Sequence, residues 1–106
     1  MKNEAFVKVI DACVRHCNHC ADACLDEPDI QKMVDCIRLD RVCAQVCNSL
    51  SAILMTTHTD IDGLVQYCIQ ICEECAAECE KHEMKHCQDC AKACRECAQH
   101  CREYLA

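Results

Sequence analysis

The side chains that could do chemistry in this sequence are its cysteines, sixteen in a chain of 106 residues. Three groups share the spacing C-x3-C-x2-C-x3-C, a fourth has Asp40 in its second position, and Cys87 precedes the last group by three residues. These groups include every cysteine of the chain: Cys13, Cys17, Cys20, Cys24, Cys36, Cys43, Cys47, Cys68, Cys72, Cys75, Cys79, Cys87, Cys90, Cys94, Cys97 and Cys101. Thiolates are soft ligands, so they indicate binding of Cu(I), zinc or iron–sulfur clusters.

The spacing of the cysteines predicts the elements that carry them. Steps of three and four residues place side chains on one face of an α-helix. At 3.6 residues per turn, the four positions of one group spread over about 60°. The residues between them are largely Ala, Glu, Gln, Lys and Arg, which favour helix. The four groups therefore predict four helices, each with a stripe of thiols along one face.

Three breaks separate the predicted helices. Pro28 marks the first break and suits a first-turn position of the second helix. The second break covers residues 55–60, where Thr59 and Asp62 resemble a capping box at the start of the third helix. The third break, residues 80–83, contains neither Gly nor Pro. We infer it because one unbroken helix would leave two thiol stripes with nothing to face.

The two halves of the chain resemble each other. Residues 36–47 (CIRLDRVCAQVC) align with residues 90–101 (CAKACRECAQHC), and residues 13–24 align with 68–79 in the same way. This repeat predicts a duplicated helical hairpin. Two hairpins joined by short loops predict an all-α, up-down-up-down four-helix bundle with a Cys-lined core, and residues 1–106 are expected to form one metal-binding domain.

This topology gives the bundle two different ends. Both loops within the hairpins lie at one end, and the connection between the hairpins lies at the other with both termini. Toward that second end the stripes become apolar, and we call these residues the apolar plug: Phe6, Val9, Ile10, Leu50, Leu54, Ile61, Leu64, Val65, Tyr104 and Leu105. Because a protonated cysteine behaves as a small hydrophobe, the bundle is expected to fold without metal.

Charge distinguishes between the candidate metals. Sixteen thiolates cannot stay buried without compensation. Zinc in closed four-cysteine sites would return only about half of the charge, whereas about one Cu(I) per thiolate would neutralise the core. The loop-borne run C-x2-C-x2-C-x3-C-P of many iron–sulfur proteins is absent. Cu(I) is therefore favoured, and a zinc or cadmium buffer of the metallothionein type or an iron–sulfur electron carrier are the alternatives.

The remaining composition argues against other function classes. A net charge of −7 without a basic cluster argues against nucleic acid, and no apolar stretch is long enough to predict a membrane span. The first residues are too charged for a signal peptide and lack a twin arginine, so we expect a cytoplasmic protein with free thiols. No catalytic constellation is present, and we expect no enzyme activity.

Further candidate ligands lie near the loops within the hairpins. His82, Met84 and His86 precede the fourth helix, and Met33 lies one turn before Cys36. Imidazole and thioether groups both suit Cu(I), although a polar surface loop would also explain these residues. The other histidines lie off the stripes or in the far loop and are expected to be solvated: His16, His19, His58 and His100.

Asp40 is a further candidate because it occupies a cysteine position. Its side chain is expected to point inward or toward the edge of the bundle. The alternative is an exterior ion pair with Lys32, Arg38 or Arg41.

On the repeated cysteine groups, on CIRLDRVCAQVC at 36–47 and on HEMKHCQDCAKACRECAQHC at 82–101, the chain resembles the cytosolic copper storage proteins over essentially its whole length. The resemblance implies a four-helix bundle, usually assembled as a homotetramer, whose inward cysteines bind many Cu(I) ions. It implies that all sixteen cysteines are copper ligands and that His82 and His86 are ligands in the region where copper is taken up. Neither the ion capacity nor the donor and acceptor of copper follows from the resemblance.

Overall fold

The computed structural model describes residues 1–106, which form four α-helices. The helices are α1 (Glu4–Cys24), α2 (Val34–Leu54), α3 (Asp62–Cys79) and α4 (Lys85–Leu105). α1 packs against α2 and α4, and α3 packs against the same two helices, so the four form a ring. The molecule is elongated, 45 × 20 × 18 Å, and none of its helices has the length and apolar character needed to span a membrane. The predicted all-α four-helix bundle is confirmed.

Contacts between the helices show their directions. The Cys36 Sγ at the start of α2 lies 3.5 Å from the Cys79 Sγ at the end of α3. Near the other end, the Cys47 Sγ lies 3.5 Å from the Cys68 Sγ. The thiol contacts between α1 and α4 follow the same reversed order. Neighbouring helices are therefore antiparallel, as the up-down-up-down topology requires.

The apolar plug lies at the end that holds the termini and the α2–α3 connection. Its most buried members are Phe6, Ile10, Leu50, Leu54, Ile61 and Val65. Val9, Leu64, Tyr104 and Leu105 are half-buried against them. The rings of Phe6 and Tyr104, near the two termini, lie 5.5 Å apart between centroids. Burial of this apolar surface stabilises the bundle by about 25 cal/mol per Å² without any metal.

Two of the three breaks differ in detail from the prediction. Pro28 precedes a separate 3₁₀ turn at Ile30–Met33 and is not in the first turn of α2. That extra turn carries Met33 into the core, where it is 1% exposed. The capping box is also wrong, because α3 begins after Ile61 without any side-chain cap, and the Ile61 N–H donates to the Thr59 carbonyl instead. The third predicted break, at residues 80–83, is confirmed, since α3 ends at Cys79 and α4 begins at Lys85.

Candidate metal centre

The centre of the bundle is lined by sulfur. All sixteen cysteine side chains are completely buried, and every one is a free thiol. Neighbouring Sγ atoms lie 3.5–3.9 Å apart both along a helix and between helices. No disulfide bond joins any of them. We call this region, from the apolar plug to the α1–α2 and α3–α4 connections, the thiol tube.

Within the thiol tube, sets of four side chains bring their ligand atoms within 4.8 Å of one another. Nearest the plug are the sets Cys13–Cys47–Cys72–Cys97, Cys13–Cys17–Cys43–Cys94 and Cys17–Cys75–Cys90–Cys94. Nearer the loops are the sets Cys20–Asp40–Cys79–Cys90 and Cys20–Cys24–His86–Cys87. Each set shares a sulfur with another set along this series. A thiolate can bridge two soft ions, so the sharing fits a chain of bridged ions of low coordination number.

The thiols of Cys24 and Cys87, near the loops, are expected to be neutral before metal binds. Burial raises the pKa of the Cys24 thiol above its ordinary value and raises the pKa of Cys87 to about 12. The cause is that a thiolate buried away from water loses its solvation, and its neighbours are themselves ionisable. Each bound cation therefore displaces protons from the thiols that hold it.

Asp40 points inward, as one of the two predicted orientations requires, and is completely buried. Its Oδ1 accepts hydrogen bonds from the thiols of Cys75 at 3.1 Å, Cys90 at 3.3 Å and Cys79 at 3.6 Å. The Cys36 thiol lies 3.8 Å from Oδ2. The carboxyl group therefore stands in the sulfur ladder at the position where the repeat would place another cysteine.

The alternative of an exterior ion pair for Asp40 is wrong. Lys32 and Arg38 form ion pairs with other carboxylates on the surface, and Arg41 is exposed on α2. Without a cationic partner, burial raises the pKa of Asp40 to about 8, and the nearby ionisable groups of Cys90 and Cys36 add to the effect. At neutral pH the carboxyl group is mostly protonated, so it adds little charge to the metal-free core.

His86 is the predicted accessory ligand that the structure brings to the thiols. Its Nδ1 lies 3.3 Å from the Cys20 Sγ and 3.5 Å from the Cys87 Sγ. Its Nε2 is buried without a hydrogen-bond partner and lies 3.6 Å from the Glu27 Oε2. The imidazole therefore closes the loop end of the thiol tube, with one nitrogen toward sulfur and the other toward a carboxylate.

The other predicted accessory residues surround this end without hydrogen bonds to sulfur. The His82 Nε2 pairs with the Glu78 Oε2 at 3.0 Å. Met84 is half-buried at the start of α4, and Met33 is buried in the core cluster. The off-stripe histidines have no hydrogen bond to a thiol, with His19 and His58 exposed and the remaining two half-buried: His16 and His100.

Sequence reasoning missed the two carboxylates that face the imidazoles. Glu78 precedes His82 by four residues, a spacing that places two side chains side by side on a helix and could have indicated this pair. Glu27 lies in the α1–α2 connection and reaches across to His86 on α4, a pairing that no local spacing indicates.

Comparison with known proteins gives consistent matches. The family model described as copper storage protein matches residues 1–106. The Bacillus subtilis (strain 168) protein YhjQ, described as an uncharacterized cysteine-rich protein, is 40% identical over 90 residues, which are 85% of this chain and 83% of that protein. The structure of the Cu(I)-bound copper storage protein BsCsp3 is 40% identical, with a TM-score of 0.93 and 100% of both chains covered. A cytosolic copper storage protein from Streptomyces lividans, solved with five coppers, is 38% identical with a TM-score of 0.90, over 94% of this chain and 88% of that one.

Proposed function

This chain belongs to the copper storage protein family, and we propose that it stores many Cu(I) ions along its thiol tube. The observation that carries the proposal is the series of four-membered ligand sets with shared sulfurs. Thiolates that bridge two ions allow monovalent cations to approach the number of sulfurs, and this neutralises the interior. Storage in this form requires no catalytic step, and no enzyme activity is part of the proposal.

We propose all sixteen cysteines as Cu(I) ligands within one unit formed by residues 1–106. Complete burial supports this role for all sixteen, and sulfur–sulfur distances of 3.5–3.9 Å support it further for most of them. His86 would add a nitrogen ligand at the loop end through Nδ1. His82 and Met84 would serve as transient ligands. Asp40 would take part in one of the outer ligand sets, and the buried Met33 would be a further thioether ligand.

We propose that copper is taken up and released at the loop end. The opposite end is sealed by the apolar plug, which offers a bare ion no ligand. At the loop end, His82, Met84 and His86 are partly exposed, and the His86 Nδ1 contacts the buried sulfurs of Cys20 and Cys87. An ion can move inward by successive ligand exchange along this series.

A cytoplasmic, self-associating protein is the setting that we propose for this store. Free thiols require a reducing compartment, and the family includes a protein described as cytosolic. One exposed apolar face on the surface supports association with further copies of the chain as a homotetramer. Neither nucleic acid nor membrane is a partner in this proposal, because the chain carries a net charge of −7.

Anaerobic titration of the reduced protein with Cu(I) tests the proposed store. We expect saturation near, or somewhat above, one ion for each of the sixteen cysteines. Cys72→Ser should lower the plateau by about one or two ions because its sulfur belongs to the shared series. Ser49→Ala, at an exposed position on α2, is the matched control and should leave the plateau unchanged. A plateau at about four ions would instead indicate separate tetrahedral sites of four cysteines each.

A further inference from the structure

We propose that Glu27 is a positioning residue that orients His86 for copper, an inference that rests on the loop-end uptake proposed above. The His86 ring presents Nδ1 to two thiols and Nε2 to the Glu27 carboxylate. The two nitrogens lie on opposite sides of one imidazole ring. The contact at Nε2 therefore decides whether Nδ1 carries hydrogen or keeps its lone pair.

The structure holds Glu27 in place for this contact. Its backbone N–H donates to the Cys24 carbonyl at 3.2 Å, which fixes the start of the α1–α2 connection against the last turn of α1. The side chains are 20% exposed for Glu27 and 15% exposed for His86, so the pair is largely shielded from water. The His86 Nε2 is buried and has no other partner. A polar nitrogen buried in this way is costly unless it finds an acceptor, and the Glu27 Oε2 at 3.6 Å is the acceptor within reach.

The contact between Glu27 and His86 selects one tautomer of the imidazole. A neutral imidazole carries one N–H and one lone pair, and a carboxylate can only accept. Glu27 therefore favours the tautomer with hydrogen on Nε2, which leaves the Nδ1 lone pair directed at Cys20 and Cys87. When an ion binds Nδ1, the Nε2–H becomes a stronger donor, and the 3.6 Å contact can shorten into a charge-assisted hydrogen bond. Glu27 would thus strengthen the hold of His86 on the outermost ion.

The neighbouring histidine provides a comparison within the same molecule. His82 also directs Nε2 at a carboxylate, Glu78, at 3.0 Å. That contact lies within one helical turn, and Glu78 also binds the Lys81 ammonium at 3.1 Å, so the carboxylate is shared. Only the His86 ring has hydrogen bonds to sulfur on its other side. The positioning effect is therefore assigned to Glu27 and His86.

Two variants test whether Glu27 acts by orienting His86 or only by attracting cations with its negative charge. Glu27→Ala removes the acceptor, whereas Asp26→Asn removes the same charge from the adjacent, exposed residue, which has no contact with His86. The measurement is the initial rate of Cu(I) transfer from the fully loaded protein to a competing chelator. We expect Glu27→Ala to raise this rate about tenfold, as for other residues that orient a metal-binding histidine. Glu27→Gln should have a smaller effect because its amide oxygen still accepts the N–H, and Asp26→Asn should have none.

A double variant and the histidine spectrum complete the test. In a His86→Ala background, Glu27→Ala should cause no further change in the transfer rate. In the metal-free protein, ¹⁵N NMR should show His86 with hydrogen on Nε2 in the wild type and a mixture of tautomers in Glu27→Ala. Equal effects of Glu27→Ala and Asp26→Asn, or an effect that persists without His86, would overturn the positioning role alone. If His86→Ala itself leaves transfer unchanged, the proposed part of His86 in copper release is wrong as well.

Discussion

Asp40 is a buried carboxyl group without a cationic partner, an arrangement that protein interiors rarely contain. Three thiols of α3 and α4 donate to its Oδ1, so the oxygen is not left unsatisfied. A protonated Asp40 resembles the thiol that the repeat would place there, since both are small, neutral and able to release a proton when a cation arrives. The residue therefore fits a tube whose ligand groups must be protonated when it is empty and deprotonated when it holds cations.

The raised pKa of Asp40 predicts that metal-free protein becomes less stable as pH rises. Between about pH 4 and pH 8 the folded state holds a proton on Asp40 that the unfolded state has lost. The free energy of unfolding should therefore fall by up to about 1.4 kcal/mol per pH unit over this range from this group. Urea unfolding of reduced, metal-free protein at a series of pH values measures the slope.

Two variants show whether the slope belongs to Asp40. Asp40→Asn keeps the shape and removes the titration, so its unfolding free energy should depend less on pH than that of the wild type. Asp35→Asn, exposed on the same helix, should keep the wild-type slope. Equal slopes for Asp40→Asn and the wild type would show that Asp40 is not protonated in the fold.

Single residues also show where sequence reasoning stops. The position of Asp40 in the repeat limits its side chain to an inward or edge orientation, and the location of His86 follows from its closeness to Cys87. The contact between Glu27 and His86 joins residues far apart in the chain and depends on how the α1–α2 connection folds. The same holds for Ser51, which donates to Asp11 at 2.6 Å between α2 and α1. Such pairs are set by tertiary structure, which no local spacing encodes.

At the scale of the helices, the stripes were predictable and the helix ends were not. A thiol stripe repeats over four positions, so its period identifies the buried face independently of any one residue. A helix end depends on a few residues that compete with one another. Pro28 was expected to begin α2, yet the Ile30–Met33 turn intervenes and buries Met33. Thr59 was expected to cap α3, but its carbonyl binds the Ile61 N–H in a tight turn.

Substitutions at the two ends of the bundle are expected to have different effects on copper uptake and on copper capacity. Replacing His82, Met84 and His86 together with Ala should slow loading because the exchange ligands at the loop end are lost. Capacity should fall by only a few ions, since the sixteen sulfurs remain. Stopped-flow transfer from a Cu(I)–chelator complex measures the rate, and equilibrium titration measures the capacity.

Variants at the opposite end of the tube act as controls for this prediction. Replacing Cys13 or Cys101 with Ser should lower the capacity without changing the initial rate of loading, because both side chains lie toward the plug. Leu54→Ala opens space in the plug itself and should cost about 2–5 kcal/mol of stability. If the triple variant loads at the wild-type rate while Leu54→Ala loads faster, copper passes through the plug end instead.

At the scale of the whole molecule, the bundle combines two kinds of core. The apolar plug supplies ordinary burial, and the thiol tube is neutral while its sulfurs are protonated. Ion pairs on the exterior, such as Arg95 with Glu80 at 2.8 Å, add little because they are solvated. We therefore expect the bundle to fold without copper, so that the store can be emptied and refilled without unfolding.

One surface of the bundle remains apolar in the single chain. Leu25, Ile30, Val34 and Val42 are 36–50% exposed and line one groove on α2 and the connection before it. The proposed homotetramer would cover this groove with a second copy of the same chain. In an antiparallel contact between two α2 helices centred at position 38, Val34 would face Val42 of the other copy and Arg41 would face the other Asp35. The two Arg38 side chains would meet at the centre, where each can keep the ion pair with Asp35 of its own chain.

Charge placed in this groove is therefore expected to break the proposed tetramer. The double variant Val34→Lys/Val42→Lys sets four like charges across the contact, and Lys is a better helix former than Val, so the bundle itself should stay folded. Light scattering should show dimers, because a tetramer with two-fold symmetry uses a second, different contact that the variant leaves intact. Tyr67→Lys, at a position 44% exposed on α3, is the matched control and should remain tetrameric. Copper capacity per chain should be equal in all three proteins, since the thiol tube lies within one chain. A double variant that stays tetrameric, or a Tyr67→Lys protein that dissociates, would place the contact on another face.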